Sequence, residues 1–506
     1  MQSEKKKTVA NGHSYEQNGW KYVSIHGEPR ERGHAYGLLC ADDFKEIKRT
    51  LEFNVLQSFG YEWSYFIEEI NKDFKEMTER NFKEYYDEME GIAAGCVEGG
   101  CETDIDEIIA WNFYCSMPYW FSSKGDGGGA KEGGTNVGSF RRSKNGGGGA
   151  ADRCSAFIAV GEGVTADGKI VVAHNSFCEY IDGQCSNVIL DINPPKGKGH
   201  RFIMQTSPCW IWSGTDFFVN AAGIIGTETT IGGFLPYELK VPVGYRIRNA
   251  MQYGETLDQC VEFLRDGNSG DYANSWLFGD TNTNEILRIE LGLKYDNVER
   301  TNNGFFIGFN ATYDPRIRNL ECGNHGFFDV RRHQGARQVR LGELMDKHMG
   351  NIDIQVAKDI ISDHHDVYLN KENPCSRTVC SHYDLDPREY MSQADRPTPF
   401  KPQGAVDGIV CDTTMAKKMG FAARFGSSCG TAFNKDEFCK KHRQWAMFAP
   451  YLKDRPSQPW TDFVVGGDNI HANDDNIVEN SGNDTIIKNS KTRRKRLLRR
   501  KSRKYQ

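Results

Sequence analysis

Apolar residues keep a helical period up to about residue 115 and a strand period after residue 154. Phe82, Tyr85, Tyr86, Met89, Ile92, Ala93 and Cys96 recur at three-and-four spacing, one stripe of an amphipathic helix. Gly99-Gly100 supplies its stop. Residues 42–58 and 104–115 read as two further helices. From residue 154 the apolar runs shorten to strand length. Strands are predicted at 154–161, 169–174, 186–192, 201–206, 216–220, 223–229, 275–279, 285–291 and 304–309. Asp167-Gly168 marks a hairpin between the first two. Thr256 and Gln259 form a capping box for one helix before LDQCVEFL. Antiparallel runs of strands interrupted by helices predict the α+β class, with sheets covered by helical layers.

Three low-complexity breaks set the domain reading. Residues 1–18 are polar and expected to be flexible, and 19–124 form a helical part. Residues 125–149 hold 11 glycines in 25 positions, so 125–153 reads as an exposed linker. Residues 154–465 then carry the strands, and 466–506 are expected to be disordered. The hydrophobic content of 38% is enough for a real core between those breaks.

Charge is uneven. The last sixteen residues, KTRRKRLLRRKSRKYQ, carry ten Lys and Arg and no acid, so the net charge of −6 leaves −16 for the rest. An acidic body is a poor nucleic-acid surface. The tail is either a solvated extension or a contact for nucleic acid or an anionic membrane. The first residues lack the apolar stretch of a signal peptide, and no run of about 18 apolar residues exists to span a membrane. The 15 cysteines are odd in number and irregularly spaced, and most are expected to be reduced.

One of those cysteines stands apart. Cys154 opens a strand directly after the glycine linker, so the chain looks made to be cut at Arg153–Cys154. A free α-amino group has a reference pKa of about 7.7–8.0 and can take the proton of the thiol on the same residue. Donors for the tetrahedral oxyanion are then needed, typically asparagine side chains and backbone N–H groups.

The surrounding motifs resemble the phospholipase B-like family. Cys154-Ser155-Ala156 is followed by His174-Asn175-Ser176-Phe177, then Ser207-Pro208 and Ser213-Gly214-Thr215-Asp216-Phe217-Phe218. Thr227-Glu228-Thr229-Thr230, Arg248-Asn249-Ala250 and the run from Asn268 to Trp276 continue the series. Tyr383-Asp384-Leu385 and Gly404-Ala405-Val406-Asp407 match late in the chain. Nearer the start, the segments Gly27–Gly37 and Met89–Gly95 are similar to the acyl-coenzyme A:6-aminopenicillanic acid acyltransferase (C45 peptidase) group.

Both resemblances imply an N-terminal nucleophile hydrolase, an αββα sandwich that cleaves itself before a cysteine and acts on ester or amide bonds. They imply Cys154 as nucleophile, with His174, Asn175 and Asn310 around it and Asn310 as an oxyanion donor. Thr229, Thr230, Trp210 and Arg337 are expected to line the substrate pocket. The C45 aspartate is replaced by Phe177, which favours the phospholipase B-like pattern. The expected substrate is a (phospho)lipid ester, the alternatives being an N-acyl amide or a catalytically inactive member of the fold. Neither resemblance implies a cofactor. Cys375, Cys380, His382, His364 and His365 lack paired CxxC or HExxH spacing, so no metal is expected. Phospholipase B-like proteins are typically secreted or lysosomal, which the absent signal sequence does not support, so location stays open.

Overall fold

In the computed structural model, which describes residues 6–124, 154–323, 326–388 and 402–467, the first strands come earlier than expected. β1 (Lys7–Val9) and β2 (Gly12–Gln17) lie where a flexible terminus was predicted, and β3 (Trp20–His26) follows. β1 and β2 leave little apolar alternation in the sequence, since β1 is largely exposed and β2 fully buries only Gly12 and Ser14. In β3, Tyr22 and Ser24 both donate to Asp191, at 2.8 and 2.9 Å, and Arg201 pairs with the same carboxylate. A satisfied buried carboxylate thus stands among the apolar side chains of β3.

The helical part is longer than its periodicity suggested. α1 (Pro29–Phe59) starts thirteen residues before the expected boundary, on a Glu28/Glu31 capping box with proline in its first turn. α2 (Trp63–Asn81) and α3 (Lys83–Glu98) follow, then α4 (Ile105–Asn112), capped by Asp104, and α5 (Met117–Ser123). α1 and α3 cross at backbone contact. A Cβ at Gly33, Gly37, Gly91 or Gly95 would fall 2.0, 2.1, 2.3 or 2.1 Å from a carbonyl oxygen of the other helix. The glycines of GHAYG and GIAAG are therefore there to let two helices touch.

The remaining strands are β4 (Cys154–Val160), β5 (Val171–Glu179), β6 (Val188–Asn193), β7 (Phe202–Thr206), β8 (Phe217–Asn220), β9 (Ile224–Thr230), β10 (Asn274–Asp280), β11 (Glu285–Leu291), β12 (Asp296–Thr301) and β13 (Gly304–Gly308). A small hairpin, β14 (His365–Asp366) with β15 (Lys371–Glu372), precedes β16 (Gln403–Ala405), β17 (Asp407–Asp412), β18 (Gly420–Phe425) and β19 (Thr461–Val464). The later helices are α6 (Tyr180–Gly183), α7 (Val243–Tyr253), α8 (Leu257–Arg265), α9 (His333–Lys347), α10 (Ile354–Ile361), α11 (Thr413–Lys417) and α12 (Lys435–Lys441).

One ten-stranded sheet runs β1-β2-β3-β6-β7-β8-β9-β10-β11-β12, antiparallel except for β3 with β6. A second runs β13-β4-β5-β17-β18-β19, with β16 also on β5. Alternation along the large sheet divides its side chains between two cores. Phe202, Met204, Phe218, Trp276 and Phe278 join the residues of α1, α3 and α7. Ile203, Phe217, Val219, Ile225 and Leu277 join Ile158, Val172, Ile409 and Ala422 of the second sheet, together with Leu341 and Ile360. Apolar burial on both faces is thus the physical cause of the short, nearly continuous apolar runs read from residue 154 on. The chain is α+β, as expected.

Two local readings change. The β4–β5 connection is not a two-residue hairpin, because Asp167-Gly168 lies within a loop from 161 to 170. Gly161 closes that loop by donating to the Gly168 carbonyl at 3.2 Å. β5 runs on through Glu179, so His174 and Asn175 sit mid-strand. The linker 125–153, Arg153 and the basic tail lie outside the described residues.

Candidate active site

Cys154 is the first residue of β4 and is fully buried. Its strand partner on β5 is Ser176, so the register puts Asn175 opposite Ser155 and His174 opposite Ala156. The Cys154 backbone nitrogen donates to Asn310 Oδ1 at 3.1 Å. Arg337 of α9 reaches in from the other side and donates to the Cys154 carbonyl, to Ser155 Oγ at 3.2 Å and to Asn310 Oδ1 at 2.7 Å. Asn310 has φ +64, a left-handed conformation that asparagine tolerates, and its Nδ2 donates to the Thr230 carbonyl at 2.8 Å. Its Oδ1 is thus committed, while the Thr230 bond uses one of the two Nδ2 hydrogens. Asn310 fixes the cysteine's nitrogen and keeps one N–H beyond that bond among the described residues.

The sulfur faces acids. Cys154 Sγ lies 3.9 Å from Asp216 Oδ2, which also accepts from Tyr272 Oη at 3.0 Å. A His174 ring nitrogen, the sulfur and an Asp216 oxygen all lie within 4.8 Å of one another. Burial, then the charges of Glu228, Asp216 and Asp407, push the thiol pKa well above its usual value, against the pull of Arg337. Burial and the neighbouring Asp216 likewise raise Glu228. Two buried carboxyl groups this close favour sharing a proton. Burial also depresses His174 to about 3, so its imidazole is neutral near pH 7 and a weak proton acceptor.

Asn175 is spent on structure. Its Oδ1 accepts from the Ser155 backbone at 3.1 Å, and its Nδ2 donates to Ile361 O, Val379 O and Ser428 Oγ at 3.0, 3.3 and 3.1 Å. It sets the register of the residue after the cysteine and points no donor at the sulfur. Thr229 and Thr230 were expected in the pocket but are absent from the cleft's lining. Thr229 packs under Gly308, and Thr230 supplies the carbonyl that anchors Asn310. Arg337 serves the cysteine's backbone and is likewise absent from that lining.

Trp210 does line the cleft on which Cys154 opens, stacked on Trp212 and beside Trp111. Tyr114, Phe177, Tyr272 and Val406 complete its apolar wall, while Asp182 and Asp216 supply its carboxylates. No Lys or Arg is among the described residues of that lining.

Sequence reasoning missed the acids. Asp216, Glu228 and Asp407 were visible only as members of longer motifs. The available signal was a carboxylate inside a buried strand, as in Gly226-Thr227-Glu228-Thr229-Thr230. Asp407 accepts from the Ser176 backbone at 2.7 Å and Gln205 Nε2 at 2.6 Å, yet burial still raises it to about 7.

That shift has a sign. An ordinary carboxyl titrates near ~3.9, so between about 4 and 7 the folded chain binds the extra proton. Stability from Asp407 is fully present at the acid end of this window. It is lost as pH rises through 7, by up to about 4 kcal/mol. The Tm difference between wild type and Asp407→Asn is expected to change across that window, with wild type gaining relative to the variant on acidification. Parallel Tm profiles would rule out a raised Asp407.

No family model matches the chain. A protein of Archaeoglobus fulgidus described as "Uncharacterized protein" is 23% identical over 263 residues, which covers 50% of this chain. The chain spans 40% of that relative's length. Among solved structures, a variant of the conjugated bile acid hydrolase of Clostridium perfringens aligns over 55% of this chain and 82% of its own. The identity is 10% and the TM-score 0.26, and a likeness at that level carries no argument about fold or activity.

Proposed function

We propose that the chain is an acyl hydrolase of the N-terminal nucleophile type, similar to the phospholipase B-like proteins and matured by cleavage at Arg153–Cys154. The observation that carries this reading is the placement of Cys154. It begins a buried strand, its nitrogen rests on Asn310, and it lines an aromatic cleft. Two sheets sharing one apolar core, with α1, α3 and α7 packed on the outer face of the larger, support the αββα sandwich of that class.

Cleavage turns the Cys154 amide into an amine, which Asn310 Oδ1 is already placed to hold. With His174 depressed to about 3, the amine is the better base. It takes the thiol proton, and the thiolate attacks the acyl carbonyl. Collapse of the tetrahedral adduct forms a thioester and expels an alcohol or amine, which receives the proton from the ammonium. Water then attacks the thioester, giving the carboxylic acid and restoring the thiol. Asn310 takes the oxyanion role in this reading, with the Nδ2 hydrogen that its Thr230 bond leaves over.

The aromatic wall of the cleft matches an acyl chain in apolar character. The absence of a cation from its described lining favours the second reading, an N-acyl amide, over a phosphate headgroup held in the cleft. A panel of diacyl phospholipid, lysophospholipid and N-acyl amino acid tests both readings. The processed protein is expected to release fatty acid from one class and to give a hydroxylamine-trappable acyl-Cys154 thioester. Failure on every member, with no acyl-enzyme, would refute the proposal.

A further inference from the structure

Four side chains from three stretches of sequence meet beside α10, none of them in the cleft's lining. They are His364, Cys380, His382 and Cys429, and their ligating atoms all lie within 4.8 Å of one another. His382 Nε2 is 3.5 Å from Cys380 Sγ and 3.3 Å from Cys429 Sγ. A tetrahedral zinc ion with Zn–S of about 2.3 Å and Zn–N of about 2.0–2.1 Å has ligand–ligand edges of roughly 3.3–3.8 Å. The two measured edges fall within that range. We infer that these residues form a Cys2His2 site for one structural zinc ion.

The outer contacts agree with this assignment. His364 Nδ1 faces Glu372 Oε1 at 3.5 Å, and His382 Nδ1 faces Asp384 Oδ1 at 3.4 Å. In each ring a carboxylate on Nδ1 leaves Nε2 turned to the centre, the arrangement that orients histidine ligands. His364 Nε2 is buried and has no hydrogen-bond partner among the described residues. Asp384 is itself held by Tyr180 Oη at 2.7 Å. Cys429 Sγ accepts from the Thr431 backbone at 3.4 Å, and as a free thiol it donates to Thr431 Oγ1 at 3.1 Å.

Two thiolates and two imidazoles suit zinc over magnesium or calcium. With four protein ligands the site is closed, which fits a structural ion and not a catalytic one. His364 and Cys429 also line a groove with Arg424 and Trp460, through which the ion can reach the cluster. Spacing hid the site. One residue separates Cys380 from His382, and Cys429 lies 47 residues beyond His382, outside the usual finger patterns.

The cluster bears on the nucleophile through its neighbours. Val379, just before Cys380, accepts from Ser155 Oγ at 3.0 Å and from Asn175 Nδ2 at 3.3 Å. Ser428, just before Cys429, accepts from the same Asn175 Nδ2 at 3.1 Å and donates to Ile361 O at 2.7 Å. Asn175 in turn holds the Ser155 backbone next to Cys154. Zinc thereby fastens both loops that set the register of β4, and Asn175 and Ser155 act as positioning residues.

Elemental analysis of the full chain, purified from zinc-supplemented cells, tests this directly. About one zinc per chain is expected. Cobalt exchanged into the site should show the ligand-field and thiolate charge-transfer bands of a tetrahedral two-thiolate centre. Cys429→Ser should lose the zinc, while Cys375→Ser, a nearby thiol outside the cluster, should keep it. Cys154→Ala should also keep it, so this result is separable from the hydrolase reading. If Cys429→Ser fails to fold, the wild-type cobalt spectrum decides. Wild type without stoichiometric zinc that fails to take up cobalt would overturn the site. So would a Cys380–Cys429 disulfide in peptide mapping, or zinc retained in Cys429→Ser.

Discussion

Cys154→Ala is expected to leave the chain in one piece and to lower acyl hydrolysis by at least about 10⁴-fold, since nucleophile and base leave together. The fold should survive, because only one sulfur atom is lost from the start of β4 while the backbone contacts to Asn310 and Arg337 remain. Cys154→Ser should keep slow cleavage, as a hydroxyl attacks the same bond less readily. Gel mobility and fatty-acid release, measured on the same preparations, separate the two effects. Hydrolysis that persists undiminished in the alanine variant would move the nucleophile elsewhere.

The largest loss of stability is expected from Glu88→Ala. Glu88 of α3 is fully buried between two fully buried arginines. Arg32 of α1 donates to it at 2.8 and 2.6 Å, and Arg248 of α7 at 3.2 and 2.9 Å. Arg32 keeps Glu84 and Arg248 keeps Gln252, but neither replaces a shared buried carboxylate. Removing one partner of such a group costs about 3–5 kcal/mol, because the opposite charges stay buried without compensation. α1 and α3 precede the proposed cut and α7 follows it, so this triad ties the two fragments without a covalent bond. Urea unfolding should show the drop, and cleaved Glu88→Ala should separate into fragments more readily than cleaved wild type. A change below about 1 kcal/mol would mean the triad is a surface-like pair in effect.

Features encoded locally were legible in the sequence. The Thr256 cap reads directly, and Thr256 Oγ1 accepts from the Gln259 backbone at 3.2 Å. The Gln259 side chain reaches back to Glu255, one residue earlier than a capping box requires. The stripe from Phe82 to Cys96 became α3 because one apolar face must pack against α1. β1 and β2 were missed because they are held by pairing, β1 on β2 and β2 on β3, which leaves no local trace.

The site divides the same way. Cys154 stood out through what adjoins it in sequence. Its acids come from the β8 approach, β9 and β17, strands that only the folded sheets bring together. The family resemblance led to the expectation of Asn310 as an oxyanion donor and of Asn175 beside the cysteine. Which way a carboxamide turns depends on Ile361, Val379, Thr230 and Arg337, all far off in sequence. The four proposed zinc ligands likewise converge through loops whose spacing matches no finger pattern.

N-terminal sequencing of the purified full chain, with intact mass on the same sample, tests the central claim most directly. The expected result is a second N-terminus reading Cys154-Ser155-Ala156-Phe157, from a fragment that remains associated with the one bearing α1 and α3. A chain that stays whole, with no terminus at Cys154 under neutral or acidic conditions, would contradict it.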